Sequence, residues 1–441
     1  MKKTVLLVCA ACLLAFPQGH AAPLGLSEAC EKAMEHDAQL RAAQADHAAQ
    51  KEEVRKARAN FLPNARFSAS RGRNSTEHTA LQTDATQDYY YNSVNYGFSV
   101  RQPILNFTNF ASYGQAKAVV AKSEAKLQNE RYDTLERTVE VYFNALYSED
   151  NLDFSMAQMK ASEEQLEQAR RAYGAGFGTI TEINEAKADY EMAQAEALAS
   201  TNGIEFNRRE LERLTGVYPE ELRRLAPGKL VLAMPEPQNV QQWIDQALER
   251  NALVSAARHE VRIARKQVDK NRAGRYPTLD LVATQNVSQS DNNYSIGSEY
   301  NTYSLNLQLN VPIYSGGYVS AAVRQSSAGL TAARERQSQQ ERAVTSDVRK
   351  YYNSLMGSIA QIRAYEQAVT SSEIALTGTR KGYKAGLRSN VDVLNAQEKL
   401  FLNKRNLAKS RYQYIINLVL LKRTAGDLTA ADIAKVDGWM E

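Results

Sequence analysis

Apolar residues recur along this chain in two rhythms, and the alternation between them is stated twice. Ile183, Tyr190, Ala197, Ile204 and Leu211 stand seven residues apart, and Val393, Leu400, Leu407, Tyr414 and Leu421 repeat the series 210 positions later. Such a sustained repeat predicts long helices packed on other helices. Closer stripes, Tyr132, Leu135, Val139, Tyr142, Leu146 and Val348, Tyr352, Leu355, Ile359, Ile362, give the three-four spacing of a coiled-coil core. Elsewhere the period drops to two. Tyr303, Leu305, Leu307, Leu309 and Val311 alternate with Thr302, Ser304, Asn306, Gln308 and Asn310. Val94, Tyr96, Phe98 and Val100 alternate likewise with Ser93, Asn95, Gly97 and Ser99. These are strands with one apolar and one polar face.

Proline punctuates the two halves. None lies between Pro103 and Pro219 or after Pro312, which leaves room for long helices. Each half is read as helix, hairpin, long helix, helix. In the first repeat, 22–215, a helix spans about 26–60, strands about 64–72 and 89–102, and helices about 108–172 and 179–215. In the second, 240–425, the counterparts are a helix at 240–273, strands at about 278–288 and 300–311, and helices at about 318–382 and 389–424. Segment 216–239 links the halves, and 426–441 forms a tail. The fold class is mainly α with a small β part.

The strands alone fit a soluble sandwich. Three features favour a membrane. The strands approach ten residues, the length that crosses a tilted bilayer. Phe61, Phe107, Phe110, Tyr276, Tyr314 and Tyr318 crowd one end, and Tyr89 to Tyr91 and Tyr300 the other, as interfacial aromatic belts do. The hairpin loops are polar. Four strands cannot close a barrel, and an open edge is costly in lipid, so several copies must share one barrel. Helices of about 65 residues at ~1.5 Å each run roughly 100 Å, far beyond the bilayer and into water.

Composition adds a route. Lys2 and Lys3, the apolar run Val5 to Phe16 and Gly19-His20-Ala21 form a secretory signal over 1–21. Cys30 alone then remains, so no internal disulfide forms. The formal charge of +4 is no footprint for nucleic acid. His36, His47, His78 and His259 have no metal-ligand spacing, no nucleophile–base signature is present, and no enzyme activity or cofactor is expected. The Gly-Ala-Gly-Phe-Gly string at 174–178 lacks the preceding strand and following Lys-Ser/Thr of a phosphate loop, and reads as a helix–helix turn.

The duplicated halves, the paired turns Tyr173–Gly178 and Tyr383–Arg388, Val391-Asp392-Val393-Leu394 and Arg411-Tyr412-Gln413-Tyr414-Ile415-Ile416-Asn417 resemble the TolC family of outer-membrane export channels. The resemblance covers nearly the whole chain after the signal. It implies a homotrimer with a twelve-stranded barrel in outer-membrane lipid and a helical tunnel in the periplasm. An equatorial belt would be built from 216–239 and the tail. The implied partners are a periplasmic adaptor and an inner-membrane transporter, either ATP-binding-cassette or proton-driven. The adaptor would meet the tips at Ala175, Gly176, Phe177, Ala385, Gly386 and Leu387. The pore aperture would lie at Asp392 and Asn395. Three copies of Asp392 would raise one another's pKa, and Asn395, where well-known members carry Asp, would give a neutral second ring. Thr181, Glu182, Tyr383 and Arg388 would hold the gate, with an Arg388–Glu182 pair. Cargo, whether protein or small molecule, is left open. The rival reading is a trimeric coiled-coil adhesin without transport.

Overall fold

The computed structural model describes residues 23–80, 82, 84–293 and 296–441, so the signal expected over 1–21 lies outside the described residues. Both halves carry the same elements in the same order. The first has α1 (Leu26–His36), α2 (Ala38–Ala59), β1 (Asn64–Ala80), β2 (Ala85–Leu105), α3 (Phe107–Gly174) and α4 (Ile180–Thr215). The second has α5 (Val240–Arg250), α6 (Ala252–Ala273), β3 (Thr278–Asn293), β4 (Ile296–Asn310), α7 (Tyr318–Lys384) and α8 (Asn390–Ala425). A short α9 (Ala430–Asp437) follows.

The single helix expected over 26–60 is two. Asp37 breaks it, because its carboxylate accepts Gln39 N–H at 3.1 Å and caps α2. The counterpart breaks at Asn251, whose Oδ1 accepts Leu253 N–H at 2.9 Å and Val254 N–H at 3.2 Å. Asp37 is buried, yet Thr134 Oγ1 at 2.8 Å and Arg137 at 2.5 Å satisfy it. A buried carboxylate is tolerable only on such terms.

The strands form one antiparallel sheet in the order β1-β2-β3-β4. They run longer than their alternation. β1 reaches Ala80, past the stretch where its faces differ in polarity, because pairing with β2 continues to Ala80↔Ala85. Among the described residues β1 and β4 each have one partner, so the sheet has two unpaired edges.

The main core lies midway along the long helices. Val139, Tyr142, Phe143 and Leu146 of α3 meet Leu355, Ile359 and Ile362 of α7 and Tyr414 and Ile415 of α8. The linker and both chain ends close over this level. Leu24 pairs in parallel with Leu222, and Leu225 antiparallel with Met440. Tyr142 Oη donates to Leu24 O at 2.9 Å and Arg223 O at 3.0 Å. Asp437 of α9 accepts Leu26 N–H at 2.8 Å and so caps α1 from the far end of the chain.

Asp150 of α3 gives this region a pH dependence. Tyr412 Oη donates to it at 2.6 Å, and burial pushes its carboxyl above the ordinary aspartate value. Because the folded value exceeds the unfolded one, ionisation opposes folding, and stability rises as pH falls through the raised value towards the ordinary one. Asp150→Asn keeps an acceptor for Tyr412 and removes the charge. We expect it to raise the melting temperature at pH 8 more than near pH 4, close to the ordinary aspartate value. Equal shifts at both pH values in calorimetric scans would contradict this.

Candidate functional site: the paired helix tips and the bare sheet

At the ends of α3 and α7 the chain reverses through two turns built alike. Gly176 (φ +78°) and Gly386 (φ +73°) take the left-handed conformation that glycine adopts without a Cβ penalty. Phe177 N–H then bonds Ala172 O at 2.9 Å, and Leu387 N–H bonds Gly382 O at 2.9 Å, closing each helix in a Schellman turn. Ala175 and Ala385 are the C-caps. Each turn leaves one apolar side chain in the open, Phe177 at 91% exposure and Leu387 at 80%.

The next helices start with capping boxes. Thr179 Oγ1 accepts Glu182 N–H at 3.2 Å while Glu182 accepts Thr179 N–H at 2.9 Å. Ser389 and Asp392 repeat this at 3.1 and 2.9 Å. Glu182 and Asp392 are thus the same position of the two halves, 210 residues apart, and both carboxylates close a box. In a single protomer Ser389 N–H, its hydroxyl and the charge of Arg388 hold the Asp392 carboxyl below its ordinary value. Asn395 and Thr181 are exposed.

Arg388 and Glu182 form no ion pair among the described residues of one protomer, since the Glu182 carboxylate already accepts Thr179 N–H. Glu182 lies instead within electrostatic reach of Tyr383, whose hydroxyl pKa is raised by burial and then by that charge. Arg388 is laid over Gly382: a Cβ on Gly382 would stand 2.9 Å from Arg388 Cγ. The first turn inverts the arrangement. Its Gly178 stands where the second has Arg388, its Ala172 where the second has Gly382, and a Cβ on Gly178 would meet Tyr173 N at 2.9 Å and Ala172 Cβ at 3.3 Å. Each reversal leaves ordinary room for only one of the two side chains.

Sequence reasoning missed the polar seam behind the tips. Gln165 of α3 donates to Asn390 Oδ1 at the first position of α8, and both are buried. Among the described residues Asn390 Nδ2 and both polar atoms of buried Gln397 have no hydrogen-bond partner. The available signal was spacing: Asn390, Leu394 and Gln397 stand at i, i+4 and i+7, so two polar residues interrupt an apolar stripe. Each unsatisfied buried group costs about 1–3 kcal/mol, which weakens the contact between the halves at this level.

The sheet supplies the other feature. Phe67, Phe98, Tyr303, Leu305, Leu307 and Leu309 share one face and all lie bare. Among the described residues no layer covers them, which removes the sandwich reading. The opposite face carries Ser99, Thr284, Ser304 and Asn306, with Arg101 paired to Asp280 at 2.5 Å. Among the described residues no helix is long and apolar enough to cross a membrane.

Comparison with known proteins agrees with this geometry. The profile of the family described as Outer membrane efflux protein matches residues 29–217 and 243–427, one block per half. The chain is 34% identical to the alkaline protease secretion protein AprF of Pseudomonas aeruginosa, over 94% of this chain and 86% of that one. It is 31% identical to the proteases secretion protein PrtF of Dickeya chrysanthemi, over 100% of this chain and 96% of that one. The crystal structure of the outer membrane protein VceC of Vibrio cholerae superposes with a TM-score of 0.77, covering 91% of this chain and 96% of that one at 21% identity.

Proposed function

This chain belongs to the outer membrane efflux protein family and is an outer-membrane export channel, and from that premise we propose how it is assembled and gated. Its family is one of channels, not of enzymes. Three copies join edge to edge, β4 of one against β1 of the next, and close a twelve-stranded barrel. The observation that carries this is a sheet with a bare apolar face and two unpaired edges. In lipid both conditions are met only by closure with other copies. The long helices of the three copies then form a tunnel in the periplasm, girdled where the linker and tail cross the core. A periplasmic adaptor docks on the tips at Ala175–Phe177 and Ala385–Leu387 and couples the channel to an inner-membrane transporter. The names of AprF and PrtF, both protease-secretion proteins, favour a protein cargo and an ATP-binding-cassette pump.

The gate lies at the tips. Asp392 from each copy forms an acidic ring, where crowding opposes the downward pull of Ser389 on its pKa, and Asn395 adds a neutral ring one turn on. Tyr383, Arg388, Thr181 and Glu182 hold neighbouring hairpins together. An exposed ion pair contributes about 0–1 kcal/mol, and threefold repetition is enough to bias an equilibrium between closed and open tips. Arg388→Ser is expected to increase single-channel conductance in planar bilayers. An unchanged conductance would remove Arg388 from the gate. Cross-linking that stops at dimers, or never leaves the monomer, would refute the shared barrel.

A further inference from the structure

Above the apolar band, the outward face of β1 changes character. The strand register lays outward residues in rows. One row joins Phe67, Phe98, Gln285 and Tyr303, and the next Ala69, Tyr96, Val287 and Asn301. Then come Arg71, in a row with Val94, and Arg73, in a row with Asn92. The two arginines are exposed and point to the same side, as residues i and i+2 of a strand do. Among the described residues neither guanidinium has an ion pair or hydrogen bond. Nearby carboxylates are committed or remote. Asp291 accepts Asn92 N–H at 2.6 Å and Asn92 Nδ2 at 2.8 Å. Glu299 is on β4, three strands across, roughly 14 Å at ~4.8 Å per strand. Glu77 is four residues up β1, about 13 Å away.

We propose that Arg71 and Arg73 bind the phosphate groups of the glycolipid in the outer leaflet. The inference rests on the reading that the sheet is embedded with its Phe67 face towards lipid. On that reading the Phe67 and Tyr96 rows, rather than the belt expected at Tyr89 to Tyr91 and Tyr300, mark the upper edge of the hydrocarbon: Tyr89, Tyr91 and Tyr300 lie on the inward, polar face, and exposed Tyr90 stands one row beyond Arg73. The arginines stand one and two rows higher, level with headgroups. Arginine presents a planar fork that grips phosphate oxygens in pairs. The two guanidinium groups, about 7 Å apart along the strand, can each hold one phosphate of a lipid, or together clamp one. Aromatic rings below would pack on its acyl chains. Among the described strand residues no other outward-facing one is basic, so the pair defines one place on each protomer where an anionic lipid is held.

The test compares wild type with Arg71→Ala/Arg73→Ala and Arg71→Lys/Arg73→Lys. Each is purified from outer membranes, exchanged into mixed micelles containing bisphosphorylated lipid A or its dephosphorylated form, and scored for bound lipid by native mass spectrometry. Wild type should retain the phosphorylated lipid. The double alanine variant should retain at least about tenfold less, the expected scale for losing charge-assisted bonds, and the lysine variant an intermediate amount. Dephosphorylated lipid should bind all three weakly. Equal retention of phosphorylated lipid by wild type and the alanine variant would overturn the proposal. So would unchanged retention joined to a lower melting temperature of lipid-free assemblies, which would assign the arginines to a contact between copies. If instead the wild-type protein were extracted from cells without detergent, the embedding itself would be refuted.

Discussion

Replacing Leu307 by Arg should strip the channel from the outer membrane. Leu307 is 67% exposed and sits between Leu305 and Leu309 on the bare face of β4. An arginine on the lipid face of a barrel costs about 2–4 kcal/mol near the midplane, and the threefold symmetry proposed above would triple it. That sum rivals the whole stability of a typical folded domain, about 5–15 kcal/mol. Asn306→Arg, one residue away, points to the polar face and should assemble normally. Sucrose-gradient fractionation and unheated gel electrophoresis would separate the two outcomes. Equal assembly of both variants would mean that this face does not meet lipid.

The tips offer the second large effect. Gly178→Arg should disable the first turn, because a Cβ there meets the backbone nitrogen of Tyr173 at 2.9 Å, and backbone shifts forced by overpacking cost about 1–3 kcal/mol. Adding Ala172→Gly removes the Cβ met at 3.3 Å and reproduces the Gly382 and Arg388 pairing of the other half, and should recover the part of the loss that the Ala172 side chain causes. Cysteine cross-linking between the tips of α3 and α4, read alongside export of cargo, would follow both steps. A double variant no better than the single one would show that the two turns differ by more than this exchange.

Much of the architecture was legible in the sequence because two strong signals coincide. Period seven and period two switch at the same places in both halves, and prolines mark the switches. The breaks at Asp37 and Asn251 were hidden because a single capping residue can divide a helix without changing the helix-favouring composition around it. The strand ends were hidden for the opposite reason. Beyond Arg71 both faces of β1 are polar, and pairing carries on without leaving any alternation to read. At the tips the turns were plain from Gly176 and Gly386, but the capping boxes were not. Thr179 with Glu182, and Ser389 with Asp392, have the spacing of a box, yet the acidic residues drew attention as charges rather than as hydrogen-bond acceptors. The buried Gln165–Asn390 contact joins residues 225 apart and has no counterpart in the first half, where exposed Ile180 stands at the position of Asn390.

A sheet that finishes itself only in company has a consequence for how the protein reaches its destination. Between export across the inner membrane and arrival at the outer one, each newly made subunit displays a greasy surface flanked by two templates for strand addition. Those are the ingredients of fibrils and amorphous aggregates. If the proposed assembly is right, the strands stay uncovered until other copies arrive, and a holding chaperone that shields them would lower the risk. Growth arrest from overproduction should therefore track the concentration of unassembled subunits rather than that of finished channels.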